Sequence, residues 1–170
     1  MVVEAGARRV LIAGIGYQHM RDLSVGSVVV PVLRRQSWPV DVEIDDWWFG
    51  PIHAVQRLEA EPHPYRRIVF LAAVARGREP GTVSCYRWRG QLPNAEEIQR
   101  RVGEAVMGLI DLDNLLIVGQ HFRAFPPDVV VVEIEPDDCE WGDGFTPRVA
   151  AALGEVLATV RRAALDDSNE

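Results

Sequence analysis

Apolar residues along this 170-residue chain gather in short runs, separated by stretches with helical spacing. Val10-Leu11-Ile12-Ala13 gives way to Gly14-Ile15-Gly16, the pattern of a buried parallel strand ending in a tight loop. Ser24 stands where it can cap a helix carrying Val28, Val29, Val32 and Leu33, with Pro31 predicting a kink or an early break. Val40-Asp41-Val42-Glu43-Ile44 alternates and predicts a second strand, which leaves Asp45 to Gly50 as a loop. After Gly50-Pro51, Ile52, Val55 and Leu58 share one face of a predicted helix, and Pro62 and Pro64 mark the loop beyond it.

Residues 67–74, Arg67-Ile68-Val69-Phe70-Leu71-Ala72-Ala73-Val74, predict a third, fully buried strand. Pro80-Gly81 is a turn signal, and residues 82–88 alternate as a hairpin-like strand. Pro93-Asn94 opens a helical stretch with Ile98, Val102, Ala105 and Val106, and a second follows with Leu112, Leu115 and Leu116. Residues 129–134 form the last strand. Thr146-Pro147 then predicts a terminal helix with Thr146 as cap and an inner face of Val149, Leu153, Val156, Leu157 and Val160. Strands alternating with helices predict a three-layer α/β/α sandwich around a mostly parallel sheet of about five strands, the 82–88 strand being the antiparallel exception. We expect a single domain over residues 1–165, with a flexible acidic tail at 166–170.

The formal net charge of −7 argues against nucleic-acid binding and against docking on an anionic membrane, both of which need a basic face. No apolar run approaches the ~18 residues of a membrane span, and residues 1–9 are too short and polar for a signal peptide. The two cysteines, Cys85 and Cys139, make no disulfide framework and no CxxC pair. These features predict a cytoplasmic protein, and no stripe for self-association is evident, so a monomer is expected.

Candidate chemistry gathers where parallel strands end. Gly14-Ile15-Gly16 falls short of a dinucleotide fingerprint, because His19 stands where the third glycine belongs. His19, Asp22, Asp45, Asp46 and His53 follow strands one and two. Two imidazoles with two or three carboxylates there are donors suited to a divalent ion, and the alternative is that they simply face solvent. His121 sits on a helix beside Phe122, where a structural role is the simpler expectation. Among Trp47, Trp48 and Phe49 we expect Trp47 outward, as an interface anchor, and Trp48 or Phe49 inward. Neither cysteine has a neighbouring histidine, and no Gly-X-Ser-X-Gly elbow occurs. The arginines of 76–78 and 87–89 read as solvated faces able to meet an acidic partner.

Three segments taken together carry a resemblance. Gly14-Ile15-Gly16 is followed by Arg21-Asp22-Leu23-Ser24-Val25-Gly26, and residues 68–73 lead to Pro80-Gly81-Thr82. The run 131–136 then leads to Glu140-Trp141-Gly142-Asp143-Gly144-Phe145-Thr146-Pro147. In this order and spacing, from about Arg9 to Arg162, they resemble the hydrogenase maturation proteases. The resemblance implies an α/β/α fold and cleavage of a C-terminal peptide from the large subunit of a nickel–iron hydrogenase. It also implies recognition of nickel already loaded in that precursor by a glutamate, an aspartate and a histidine, with no permanently bound cofactor. Carried over residue by residue, those three positions fall on Leu23, Leu71 and Gly108, and the family's asparagine after the glycines falls on Tyr17. Leucine and glycine side chains coordinate nothing. The groove for the substrate would involve Gly14, Gly16, Tyr17, Gly26, Trp47 and Trp48. Two readings follow: a divergent metal-dependent endopeptidase acting on the large-subunit precursor, or a non-catalytic assembly factor that captures it.

Overall fold

The computed structural model describes residues 9–39, 41–62 and 64–166. Val40 as the start of a strand, the first eight residues of the expected domain and the tail beyond Asp166 lie outside the described residues. Five strands, β1 (Val10–Ile15), β2 (Val42–Trp47), β3 (Arg67–Ala73), β4 (Val83–Arg87) and β5 (Asp128–Ile134), form one sheet in the order β2-β1-β3-β5-β4. All neighbours are parallel except β4, which runs antiparallel to β5. Because β5 lies between β3 and β4, the turn at Pro80-Gly81 does not close a hairpin with β3, contrary to the alternation-based expectation.

The helices are α1 (Val25–Arg34), entered through a single 3-10 turn at Arg21–Ser24, then α2 (Pro51–Glu59), α3 (Ala95–Val106), α4 (Leu112–His121) and α5 (Pro147–Leu165). Helices α1 and α5 cover one face of the sheet, burying Val25, Val29, Leu33, Val149, Val156 and Val160 against Val10, Ile12, Val69, Leu71 and Val132. Helices α2 and α4 cover the other, where Ala54, Leu112, Leu115 and Leu116 meet Leu11, Ala13, Ile68, Phe70 and Val131. Helix α3 packs outside that layer through Ala105 against Val55 and Val118. Strands β1, β3 and β5 are apolar on both faces because each is covered twice. No helix among the described residues is long and apolar enough to cross a membrane.

Several local expectations need correction. Pro31 neither breaks nor ends α1: it lies on the solvent side, and the helix continues to Arg34. Ser24 occupies the cap position, but its hydroxyl accepts the N–H of Met20 at 3.0 Å instead of a helix N–H. Thr146 caps α5 by position only, since its hydroxyl donates elsewhere. Strand β2 runs on to Trp47, so Asp45 and Asp46 are strand residues on opposite faces and not loop residues. That extension reverses the aromatic pair. Trp47 is 1% exposed, packed on Phe49 and Phe70, whereas Trp48 is 62% exposed.

Candidate functional site

The carboxyl ends of β1, β3 and β5 open onto loops that are tied to one another. After β1 the chain must turn sharply into α1, and the joint is so close that no side chain fits. A Cβ on Gly14 would run into the carbonyl of Gly26, and one on Gly26 into the carbonyl of Ile15. These two glycines, expected in a substrate groove, are buried packing contacts instead.

Asp22 is 0% exposed and binds the far end of the chain. Its carboxylate accepts the N–H groups of Asp137 (2.9 Å), Asp138 (3.0 Å) and Thr146 (2.9 Å) and the Thr146 hydroxyl (2.8 Å). Burial alone would push this carboxyl up. The N–H groups of Asp138, Asp137 and Thr146 and the hydroxyl outweigh it and hold Asp22 below the ordinary carboxylate range. Met20 and Gly142 form a parallel bridge in the same seam, and Arg21 reaches Asp138 at 3.2 Å. Asp22 is therefore a structural tie between the first and last loops, its oxygens fully engaged.

Two clefts flank this tie. The first, of about 380 Å3, is lined by Ile15, Gly16, Tyr17, Leu23, residues 72–76 and residues 109–113. Its walls are largely apolar, the charged side chains being Arg76, Asp111 and Asp113. Arg76 grips Asp113 with two nitrogens at 2.7 Å each and Glu133 at 2.6 Å, and Glu133 is completely buried. Tyr86 donates to the same Glu133 at 2.9 Å, and Glu135 accepts the backbone N–H groups of Arg76 and Gly77. The bonds to Asp113 and Glu133 raise the Arg76 pKa still further above its already high value. Burial, and then the bond to Glu133, pushes the Tyr86 phenol up. Tyr17 accepts the N–H of Ile110 at 2.9 Å and so closes one wall.

Leu23 lines this cleft, but Leu71 does not: it is buried under α1 and α5, and the next residue, Ala72, faces the cleft. A slip of one residue along a strand moves a side chain to the opposite face. Gly108 sits at the end of α3 with φ 79°, next to the lining residue Leu109.

The second cleft, of about 340 Å3, lies on the other side of the 16–24 loop, bounded by Gln18, His19, Arg21, Ser24, Ser27, Val28, Pro31, Asp46 and residues 143–145. His19 Nδ1 lies 2.6 Å from Asp143, and its ring stands 5.9 Å from the exposed Trp141. Ser27 donates to Asp46 at 2.7 Å.

The five residues expected as alternative metal ligands are not brought together. Asp22 is engaged as above, and Asp45 turns to the α2 side, where it accepts from Trp47 Nε1 and pairs with Arg57 at 2.8 Å. His53 is on α2, stacked on Phe49 at 4.5 Å. Only His19 and Asp46 share a cleft, and among the described residues no group of three or more His, Cys, Asp or Glu could hold a metal ion. His121 ends α4, whose opposite end lines the first cleft, and its ring meets Phe122 edge-on. Both thiols are free and pushed up by burial first, at Cys139 also by Asp22 and Asp138, which suppresses the reactive thiolate.

Sequence reasoning missed the Arg76–Asp113–Glu133 cluster and the pairings of Asp46 and Asp143. One signal was available: Glu133 interrupts an apolar run that is buried on both faces, and a buried carboxylate requires a cation.

No protein-family model matches the chain, and no curated protein matches it in sequence. Solved structures do. The hydrogenase maturating endopeptidase HybD from Escherichia coli superposes with a TM-score of 0.67 at 24% identity, over 95% of this chain and 94% of its own. An endopeptidase from Escherichia coli gives 0.66 at 26% identity over the same shares, 95% and 94%. The nickel–iron hydrogenase maturation protease HycI from Thermococcus kodakarensis gives 0.65 at 19% identity over 95% and 96%. The α/β fold expected from the sequence is the fold of the hydrogenase maturation proteases.

Proposed function

We propose that this chain, which has the fold of the hydrogenase maturation proteases, is a divergent member of that family. In this reading it captures the large subunit of a nickel–iron hydrogenase, or its precursor, in the cytoplasm as an assembly factor that does not itself cut. The observation that carries the reading is the chemistry of the first cleft. The positions carried over from the family's nickel-contacting glutamate, aspartate and histidine hold Leu23, Leu71 and Gly108, of which Leu23 lines this cleft, and none of these side chains offers nickel a donor. Of the two carboxylates that line this cleft, Asp113 is gripped by both terminal nitrogens of Arg76, and Asp111 caps α4 at Asn114 and lies 3.6 Å from Arg101. A guanidinium there also repels a divalent cation. Nickel, in this reading, belongs to the precursor and is not held by the chain. Family membership and the precursor as partner rest on the shared fold and on the motifs from Gly14 to Pro147, and a monomeric state rests on the sequence, which carries no evident stripe for self-association.

The peptidase reading has one observation in its favour: the solved structures of this fold are, by their names, endopeptidases and maturation proteases. Incubation with a nickel-loaded large-subunit precursor separates the two. We expect the precursor to co-purify at full length. Loss of its C-terminal peptide, measured by mass spectrometry and dependent on this chain, would replace the assembly-factor reading with the peptidase one.

A further inference from the structure

We propose that the second cleft is a binding site for an alkylammonium ion, a compact cation on an apolar stem. The cavity of about 340 Å3 falls in the ordinary range for small-ligand sites. Its polar groups are mostly acceptors. Asp46 receives one hydrogen bond, from the 6%-exposed Ser27, and has no cation partner among the described residues. His19 Nδ1 lies 2.6 Å from Asp143, and in the tautomer that donates from Nδ1 the other ring nitrogen, Nε2, is an acceptor. The cation at the rim, Arg21, lies 3.2 Å from Asp138 and makes no ion pair with Asp46.

The remaining walls suit the stem. Val28, Pro31 and Phe145 line the cavity with hydrocarbon, and Trp141, 73% exposed, stands beside it with its ring 5.9 Å from that of His19. Cations are attracted to the faces of such rings. A carboxylate with one oxygen already held by Ser27 favours an ammonium over a guanidinium, whose planar fork needs both oxygens. The cation can come as a free amine or as a lysine side chain on a partner polypeptide, since both bring the same chemistry.

The test uses the whole chain and small probes, so its result is independent of whether a hydrogenase precursor is the partner. Pentylamine, N-acetyl-lysine methylamide, pentylguanidine and N-acetyl-norleucine methylamide are titrated while tryptophan fluorescence and amide NMR shifts are followed. We expect pentylamine and the lysine derivative to saturate with Kd on the order of 1 mM, pentylguanidine to bind more weakly, and the norleucine derivative not to bind. Tighter binding of the lysine derivative than of pentylamine identifies a polypeptide as the source of the cation, and the reverse order a free amine; either supports the site. Asp46→Asn is expected to weaken binding at least ~10-fold with an unchanged circular dichroism spectrum, and Trp141→Ala ~3-fold. Equal binding of the lysine and norleucine derivatives, unchanged affinity in Asp46→Asn, or no saturable shift for either amine would overturn the proposal. If Asp46→Asn fails to fold, Asp143→Asn, at an exposed position, carries the same expectation of weakened amine binding.

Discussion

The two clefts are built on the same loop, residues 16–24, and handle charge in opposite ways. In the first, every charged group that enters is matched. The Arg76 guanidinium is shared between Asp113 and the buried Glu133, and its backbone N–H is taken by Glu135. In the second, the carboxylate of Asp46 keeps an oxygen without a partner, and His19 holds a strained φ of 60° at the rim. Matched charge inside a protein acts as scaffold, because removing one partner strands the other away from water. Unmatched charge beside an open cavity costs little while water covers it, and it is available to a ligand. The contrast predicts that the first cleft matters more to stability and the second more to recognition.

The largest expected effect is at Arg76. Replacing it with Met strands the carboxylate of Glu133 with only Tyr86 and a longer contact to Arg78, and should cost about 3 kcal/mol in urea unfolding. Coupling with Glu133→Gln should recover much of that loss. A cost below about 0.5 kcal/mol for the single change would show that the cluster is not the scaffold we describe.

Next in size is Asp22→Asn, expected to cost about 2 kcal/mol near neutral pH. The folded carboxyl titrates below its unfolded value, so this contribution is fully present above the unfolded value of about 4 and fades as pH falls through the folded one. Wild type and Asp22→Asn should therefore converge in stability on acidification. A gap that stayed constant down to about pH 2 would rule out the charge as its source.

Asp46→Asn should change stability by less than about 0.5 kcal/mol, because no cation is lost with the charge. His19→Gly removes a left-handed conformation that costs a non-glycine residue about 1 kcal/mol and should be neutral or slightly stabilising in thermal unfolding. A clear loss of stability in either variant would mean that the second cleft is scaffold as well, and the contrast would fail.

Much of this architecture is legible in the sequence, for a physical reason. Strands covered on both faces are predominantly apolar, so 10–13, 67–74 and 129–134 announce themselves despite Arg67 and Glu133. The sheet edge is harder. Strand β2 is covered less completely and carries Glu43, Asp45 and Asp46, so its apolar alternation stops at Ile44 while the backbone continues to Trp47. That single boundary places Trp47 outward and both aspartates in a loop, whereas Trp47 is buried and Phe49, the alternative to Trp48, packs inward. The clefts were hidden for a different reason. Arg76, Asp113 and Glu133 come from three distant segments, and only a fold brings them within 3 Å. The first and last motifs were readable as patterns, but the bonds that join them, Asp22 to Thr146, were not.

Those bonds have a consequence for biosynthesis. Every partner of the Asp22 side chain lies more than a hundred residues downstream, in the final third of the chain. A ribosome will have released β1 and α1 long before the segment that fastens their connecting loop leaves the exit tunnel. The pairing of remote segments also slows folding relative to local contacts. Both clefts, built on that loop, are thus among the last features of the fold to take shape.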